Sequence, residues 1–178
     1  APPRRIVLAS GPEDGLYHRH AQRYIEILRR AGVTVEERMT HGAGENLGLL
    51  LDANSGVDIA LTQGGVARFP EADGLVMLAS LYYEPLWIFY RGADALTQVN
   101  QLRGLRTSIG IEGSGTRALA LAVLAANGLT RDNVTLFPMD NDIALRALQS
   151  GEIDAVMFVA GTQSPAVWKA LHDPNLKL

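Results

Sequence analysis

The stretch 109-IGIEGSGTRALALAVLAANG-128 decides the fold. A short β-prone run ends in Gly113-Ser114-Gly115-Thr116, an apolar pattern of helix length follows, and Gly128 supplies the expected stop. A strand that empties through a glycine loop into a helix is the opening of a βα unit. The start of such a helix offers unpaired backbone N–H groups and the positive end of its dipole; Gly113 and Gly115 let a ligand approach the backbone, and Ser114 and Thr116 add hydroxyl donors. A carboxylate or phosphate suits that chemistry, and an ordinary strand-to-helix turn has the same pattern.

Working outward, the same alternation recurs. Residues 5–10 (RIVLAS) read as a buried strand, followed by the loop 11-GPEDG-15 and a helix in which Ala21, Tyr24, Ile25, Leu28 and Ala31 share one face before Gly32. Strands are expected at 33–39 and 57–62, with a helix at 45–54 between them. One or two strands interrupted at Pro85 are expected over 75–90. The second half repeats the order: strand 106–111, helix 116–127, strand 133–138, helix 141–150, strand 153–159, and a short helix at 164–172 with Ser164 at the N-cap and Pro165 at N1. Strands alternating with helices of this length predict an α/β fold of βαβ units around largely parallel sheets. The halves also match each other at one offset. Leu28 to Thr34 aligns with Leu124 to Thr130, and Ser55-Gly56-Val57-Asp58 with the Ser150 to Asp154 stretch; Gly32 and Gly128, like Asp58 and Asp154, stand 96 positions apart. Two lobes of like layout would place 11-GPEDGLY-17 and 110-GIEGSGT-116 at the carboxyl ends of their first strands, where open α/β sheets bind ligands.

Composition bounds the function. The 178 residues are 47% hydrophobic and carry a net charge of −3, with basic residues scattered along the sequence; the electrostatic footprint of a nucleic-acid binder is missing. No apolar run approaches the ~20 residues that span a bilayer. The start, 1-APPRRIVLAS-10, lacks the regions of a signal peptide, as expected of a chain from which one has been removed. The absence of cysteine excludes disulfides, thiolate catalysis and cysteine-based zinc sites.

Catalytic motifs fail on spacing. A nucleophile elbow needs glycine two residues before the serine, where Glu112 stands; a Walker loop needs Gly-Lys-Ser/Thr, and no dinucleotide fingerprint occurs at this turn. His18, His20, His41 and His172 fall in no metal-ligand spacing, so no metal and no cofactor are expected. Asp58 and Asp154 read as turn carboxylates. Gln63, at a strand end beside two glycines, could hold a polar ligand or satisfy loop backbone, and Tyr82, Tyr83, Trp87 and Tyr90 are either core or an aromatic wall.

Together, 11-GPEDGLY-17, 40-THGAGENLGLLLDANSGVDIALTQ-63, 84-EPLWIFYR-91, 102-LRGLRTSIGIEGSGTRALALAVLAANGL-129 and 150-SGEIDAVMFVAG-161 resemble the TAXI family of solute-binding proteins from TRAP (tripartite ATP-independent periplasmic) transporters over essentially the whole chain. The resemblance implies a two-lobed periplasmic-binding-protein-like (type II) fold with a ligand cleft and hinge: a first lobe at 1–84, a second at 85–162, and a return helix and tail at 163–178. It implies a non-enzymatic, periplasmic or otherwise extracytoplasmic receptor, membrane-anchored in some full-length forms, which passes a small carboxylate or amino acid to membrane permease subunits. Ligand contacts would come from Gly15 and Tyr17, from Thr40, Gly42 and Asn46, from Gln63 and Tyr90, and from Ser114, Gly115 and Thr116. Two stretches depart from the family pattern, Leu16-Tyr17-His18-Arg19 and Thr40-His41-Gly42-Ala43, and their His18, Arg19 and His41 would add positive charge. Family members continue past the equivalent of Leu178, so the first lobe is expected to need further residues for completion. The alternative is a ligand-sensing module of a regulator with the same fold.

Overall fold

The apolar run that starts at Arg5 becomes the central strand of a small sheet. In the computed structural model, which describes residues 4–66 and 73–178, β1 (Arg5–Ala9) pairs in parallel with β2 (Thr34–Arg38) and with β3 (Ile59–Ala60), in the order β2-β1-β3. Parallel neighbours need crossovers, supplied by α1 (Leu16–Arg30) and α2 (Ala43–Leu51). The second sheet runs β4-β7-β5-β6 through β4 (Leu86–Tyr90), β5 (Arg106–Ser108), β6 (Thr135–Phe137) and β7 (Ala155–Val159). Its helices are α3 (Gly115–Ala126), α4 (Asn141–Ser150) and α5 (Pro165–Leu171). β4 is antiparallel to β7, while β5 is parallel to both β6 and β7.

By contacts the chain falls into two compact units, Ala1–Leu81 with Gly113–Gly115, and Tyr82–Glu112 with Thr116–Leu178. The second holds two apolar clusters, one on each face of β7. Val156 and Phe158 face Leu145, Leu148 and Val167 from α4 and α5, while Ala155 and Met157 face Ala120 and Leu124 from α3. All five β7 residues are buried, as a central strand covered on both faces requires. The first unit is built differently. Among its described residues the buried apolar ones are Leu8, Ala9, Ala21 and Ala43, accompanied by the polar Ser10, Thr40 and Asn46.

Several expected strands shorten: 106–111 to Arg106–Ser108 and 133–138 to Thr135–Phe137, and two more change further. The strand expected at 57–62 pairs formally only at Ile59 and Ala60, although the amides of Asp58 and Leu61 extend the ladder to Val7 O and Ala9 O, each at 3.0 Å. Of 75–90, only the part after Pro85 is strand. Val76 and Met77 are 81% exposed and Leu78 75%; the described residues before Pro85 have no strand partner among the described residues. The readings that fall on residues 1–3 and 67–72 lie outside the described residues. A 3-10 turn at Val99–Leu102, not expected from the sequence, closes on a capping box of Gln98 and Gln101.

The sequence repeat has a physical counterpart. α1 ends with Val33 N donating to Leu28 O at 2.9 Å, and α3 ends with Leu129 N donating to Leu124 O at 2.9 Å, with Gly32 and Gly128 left-handed at φ 81° and 69°. Asp58 accepts from Val7 N (2.8 Å) and its own amide donates to Val7 O (3.0 Å); Asp154 accepts from Arg106 N (2.9 Å) and its own amide donates to Arg106 O (2.8 Å). Asp58 thus ties the start of β3 to β1, and Asp154 ties the start of β7 to β5, each carboxylate accepting from backbone at a strand start.

Candidate functional site

The carboxyl ends of the parallel strands in the first unit carry a buried polar knot. Asn46, wholly buried on α2, donates through Nδ2 to Ser10 O (2.6 Å) just after β1 and to Leu61 O (2.7 Å) just after β3, while its Oδ1 accepts from Thr40 Oγ1 (2.7 Å) just after β2. Two carbonyls on one side and a hydroxyl on the other fix the orientation of the amide. Thr40 Oγ1 also accepts from Gly42 N (3.2 Å). One asparagine therefore gathers all three strand ends and seats the start of α2.

Onto that start the 113–115 loop is laid. Gly113 O accepts from Glu45 N at 3.0 Å. The approach is too close for side chains: a Cβ on Gly44 would lie 2.7 Å from Gly113 O, and one on Gly115 would collide with Gln63 Oε1 and come within 3.1 Å of Ala43 Cβ. Gly42, the N-cap of α2, lies with its Cβ direction 3.8 Å from Ser114 Cα and 3.9 Å from Gly115 N, so the first residues of α2 and α3 lie together. No side chain caps α2, whereas α4 is closed by Asp140 accepting from Ile143 N at 2.8 Å. Gln63 Nε2 is buried and has no hydrogen-bond partner among the described residues. The start of α2, the Ser114 and Gly115 backbone laid against it and the unused amide donor offer hydrogen bonds to an anionic group. Glu45, in the first turn of α2, brings a negative charge of its own to this end of the helix. Its oxygen is held by the His41 amide (2.8 Å) and imidazole (2.7 Å), the amide bond being the main reason its carboxyl titrates below the ordinary range.

The structure gathers Thr40, Gly42, Asn46, Gln63, Ser114 and Gly115 in the first unit, with the side chains of Thr40 and Asn46 engaged within the scaffold. Gly15, at the N-cap of α1, and Tyr17 sit on the loop and helix start after β1, where a Cβ on Gly11 would lie 3.1 Å from Tyr17 Cβ. Tyr90 and Thr116 belong to the second unit. Tyr90 is buried and its hydroxyl accepts from Leu96 N (3.0 Å), and Thr116 Oγ1 accepts from Val159 N (3.1 Å). His18 and His41 bond to different carboxylates, Glu37 and Glu45. Sequence reasoning missed Ser10 and Glu37. Ser10 Oγ donates to Glu37 Oε1 at 2.5 Å, and His18 Nδ1 lies 2.9 Å from the same oxygen. The signal was available: in 34-TVEER-38 an alternating strand turns Val35 and Glu37 inward, and an inward carboxylate demands donors. With the carboxylate between hydroxyl and imidazole, Ser10 gives its proton to Glu37 and not to histidine, an order that does not activate a serine nucleophile. Among the described residues, no group of three or more histidines and carboxylates is arranged to hold a metal ion, and no helix is long and apolar enough to cross a membrane.

Solved structures share this fold at low identity. The periplasmic aliphatic sulphonate binding protein SsuA from Escherichia coli matches with a TM-score of 0.60 at 20% identity, over 99% of this chain and 56% of its own. The alkanesulfonate-binding protein SsuA from Xanthomonas axonopodis pv. citri, bound to MOPS, matches with a TM-score of 0.60 at 22% identity, over 100% and 61%. An ancestral arginine-binding protein bound to arginine matches with a TM-score of 0.64 at 16% identity, over 98% and 77%. The chain thus spans about three fifths of the length of the sulfonate-binding structures it matches. The fold is the α/β fold of periplasmic solute-binding proteins. The family model that matches covers residues 9–178, and the chain belongs to the NMT1-like family.

Proposed function

We propose that this chain is the ligand-capturing part of an extracytoplasmic solute receptor that binds a small organic anion or amino acid and delivers it to a membrane permease, without chemistry on the ligand. The observation that carries the reading is the meeting of the α2 and α3 starts at Gly42 and Gly115, beside a Gln63 amide that has no partner among the described residues. Gly42, Gln63, Ser114 and Gly115 contact the ligand's anionic group, Gly15 and Tyr17 border it, and Thr40 and Asn46 hold the strand ends in place. Tyr90 and Thr116 join the set through the resemblance to TAXI receptors alone. The same resemblance makes the permease a TRAP-type one. The matched proteins named for sulfonate and arginine binding support a small charged solute.

Calorimetry with alkanesulfonates, carboxylates and L-amino acids tests this reading. One of these classes should bind, and Gln63→Leu should weaken it by roughly 1.5–3 kcal/mol, the range for a hydrogen bond to a charged partner. Binding by none of the classes, or a Gln63→Leu variant of undiminished affinity, would defeat the site assignment. Uptake by reconstituted receptor and permease in vesicles lacking ATP separates a TRAP partner from an ATP-driven one.

A further inference from the structure

The strand-end knot does not stop at Asn46. We infer that Glu37, with Ser10 and His18, is a positioning group for the start of α2, so that protonation of an imidazole on α1 is transmitted to the Gly42 amide. The connection is continuous: His18 Nδ1 to Glu37 Oε1 (2.9 Å), Ser10 Oγ to the same oxygen (2.5 Å), Asn46 Nδ2 to Ser10 O (2.6 Å), Thr40 Oγ1 to Asn46 Oδ1 (2.7 Å), and Gly42 N to Thr40 Oγ1 (3.2 Å). Ser10 is fully buried, and the Glu37 side chain is 11% exposed, so the relay runs where water competes little. Gln22 Nε2 donates to the other carboxylate oxygen, which fixes the carboxylate plane.

The coupling follows from two donors sharing Oε1. Neutral His18 gives that oxygen a weak donor or, in its other tautomer, none. The imidazolium gives it a charge-assisted bond. A stronger pull from His18 drains acceptor strength from the Ser10 bond, and Ser10 is the residue whose carbonyl anchors Asn46. Charged groups on the neighbouring positions have partners of their own. On the neighbouring strand positions Glu36 pairs with Arg5 and Arg38 donates to Ser55 O; Arg19, beside His18 on α1, donates to Asp14 O. His20 is held below the ordinary imidazole range by burial and by Arg23. Asp14 and Glu13 lie on the exposed loop before α1.

The inference concerns the site of the proposed function, yet its test needs no ligand, so either can fail alone. Amide shifts of Ser10 and Gly42 are followed by ¹⁵N NMR across the ordinary imidazole range, about pH 8 to 5. The background is His41→Gln, because the His41 ring sits one residue from Gly42. The Gly42 amide should move along a sigmoid coincident with the titration of the His18 Cε1–H signal. In His18→Gln, which keeps a donor that does not titrate, the sigmoid should be lost; in Glu37→Gln the His18 signal should still titrate while Gly42 stays flat. A Gly42 amide that ignores His18 in the background protein, or follows it undiminished in Glu37→Gln, overturns the inference. If Glu37→Gln does not fold, the His18→Gln comparison decides alone, since persistence of the sigmoid there is fatal.

Discussion

At Gly44 a single hydrogen stands where any side chain would strike Gly113 O, 2.7 Å from the Cβ position. Gly48, one turn further along α2, has nothing within 4 Å of its Cβ position. The pair makes a prediction. Gly44→Ala should destabilise the protein by roughly 1–3 kcal/mol, the cost of an overpacked contact, whereas Gly48→Ala should stabilise it by about 0.5–1 kcal/mol through helix propensity. Urea denaturation of both variants checks this, and a harmless Gly44→Ala would show that the 113–115 loop is not seated on α2. Neither glycine was legible as special in the sequence, because the atom that forbids a side chain at Gly44 belongs to a residue far along the chain. Asn46 illustrates the same limit. The resemblance marked it as a ligand contact, but its partners, Ser10 and Leu61, lie 36 and 15 positions away, and only folding reveals that the amide is already spent on them.

Among the elements, boundaries set by local chemistry were readable and pairings were not. The stops at Gly32 and Gly128, the helix at 141–150 and the Pro165 start of α5 follow from neighbouring residues. The antiparallel return of β4 onto β7 does not, since its partners are some seventy positions apart. The aspartates that precede β3 and β7 sit between these cases: the Gly-x-Asp turn at Asp58 and the Gly-x-x-Asp turn at Asp154 are visible, their cross-strand bonds are not. Asp154 offers a test. Its carboxyl is held below the ordinary range first by the Arg106 side-chain hydrogen bond, with Arg106 Nη2 at 2.7 Å and Nε at 3.0 Å. A folded-state value below the unfolded one contributes stability that is present above the ordinary aspartate value, about pH 3.9, and is lost as pH falls through the folded value. Urea midpoints of the wild type should therefore decline in acid more steeply than those of Asp154→Asn. Parallel curves would mean that the ion pair is fully screened by solvent.

On the scale of the whole molecule the two units are unequal. β7 is buried on both faces by the clusters of the second unit, while the first relies on a short apolar list and a polar knot, and leaves Val76, Met77 and Leu78 exposed. Local stability follows buried contact. Hydrogen exchange should be slowest in Ala155–Val159 and measurably faster in β1 and β2; equal protection would show that the polar knot stabilises as much as an apolar core. The sequence carried the α/β class and the internal repeat. It did not carry this asymmetry, which depends on what each strand finds to pack against. A different consequence lies in the order of synthesis. The first unit takes Gly113–Gly115 from a part of the chain made after Leu81, with Tyr82–Glu112 intervening. At about 5–20 residues per second, a ribosome needs on the order of seconds to supply those missing glycines. Throughout that interval the nascent strands β1 to β3 exist with the α2 start uncovered, so the site forms only after the strands that carry it have been made.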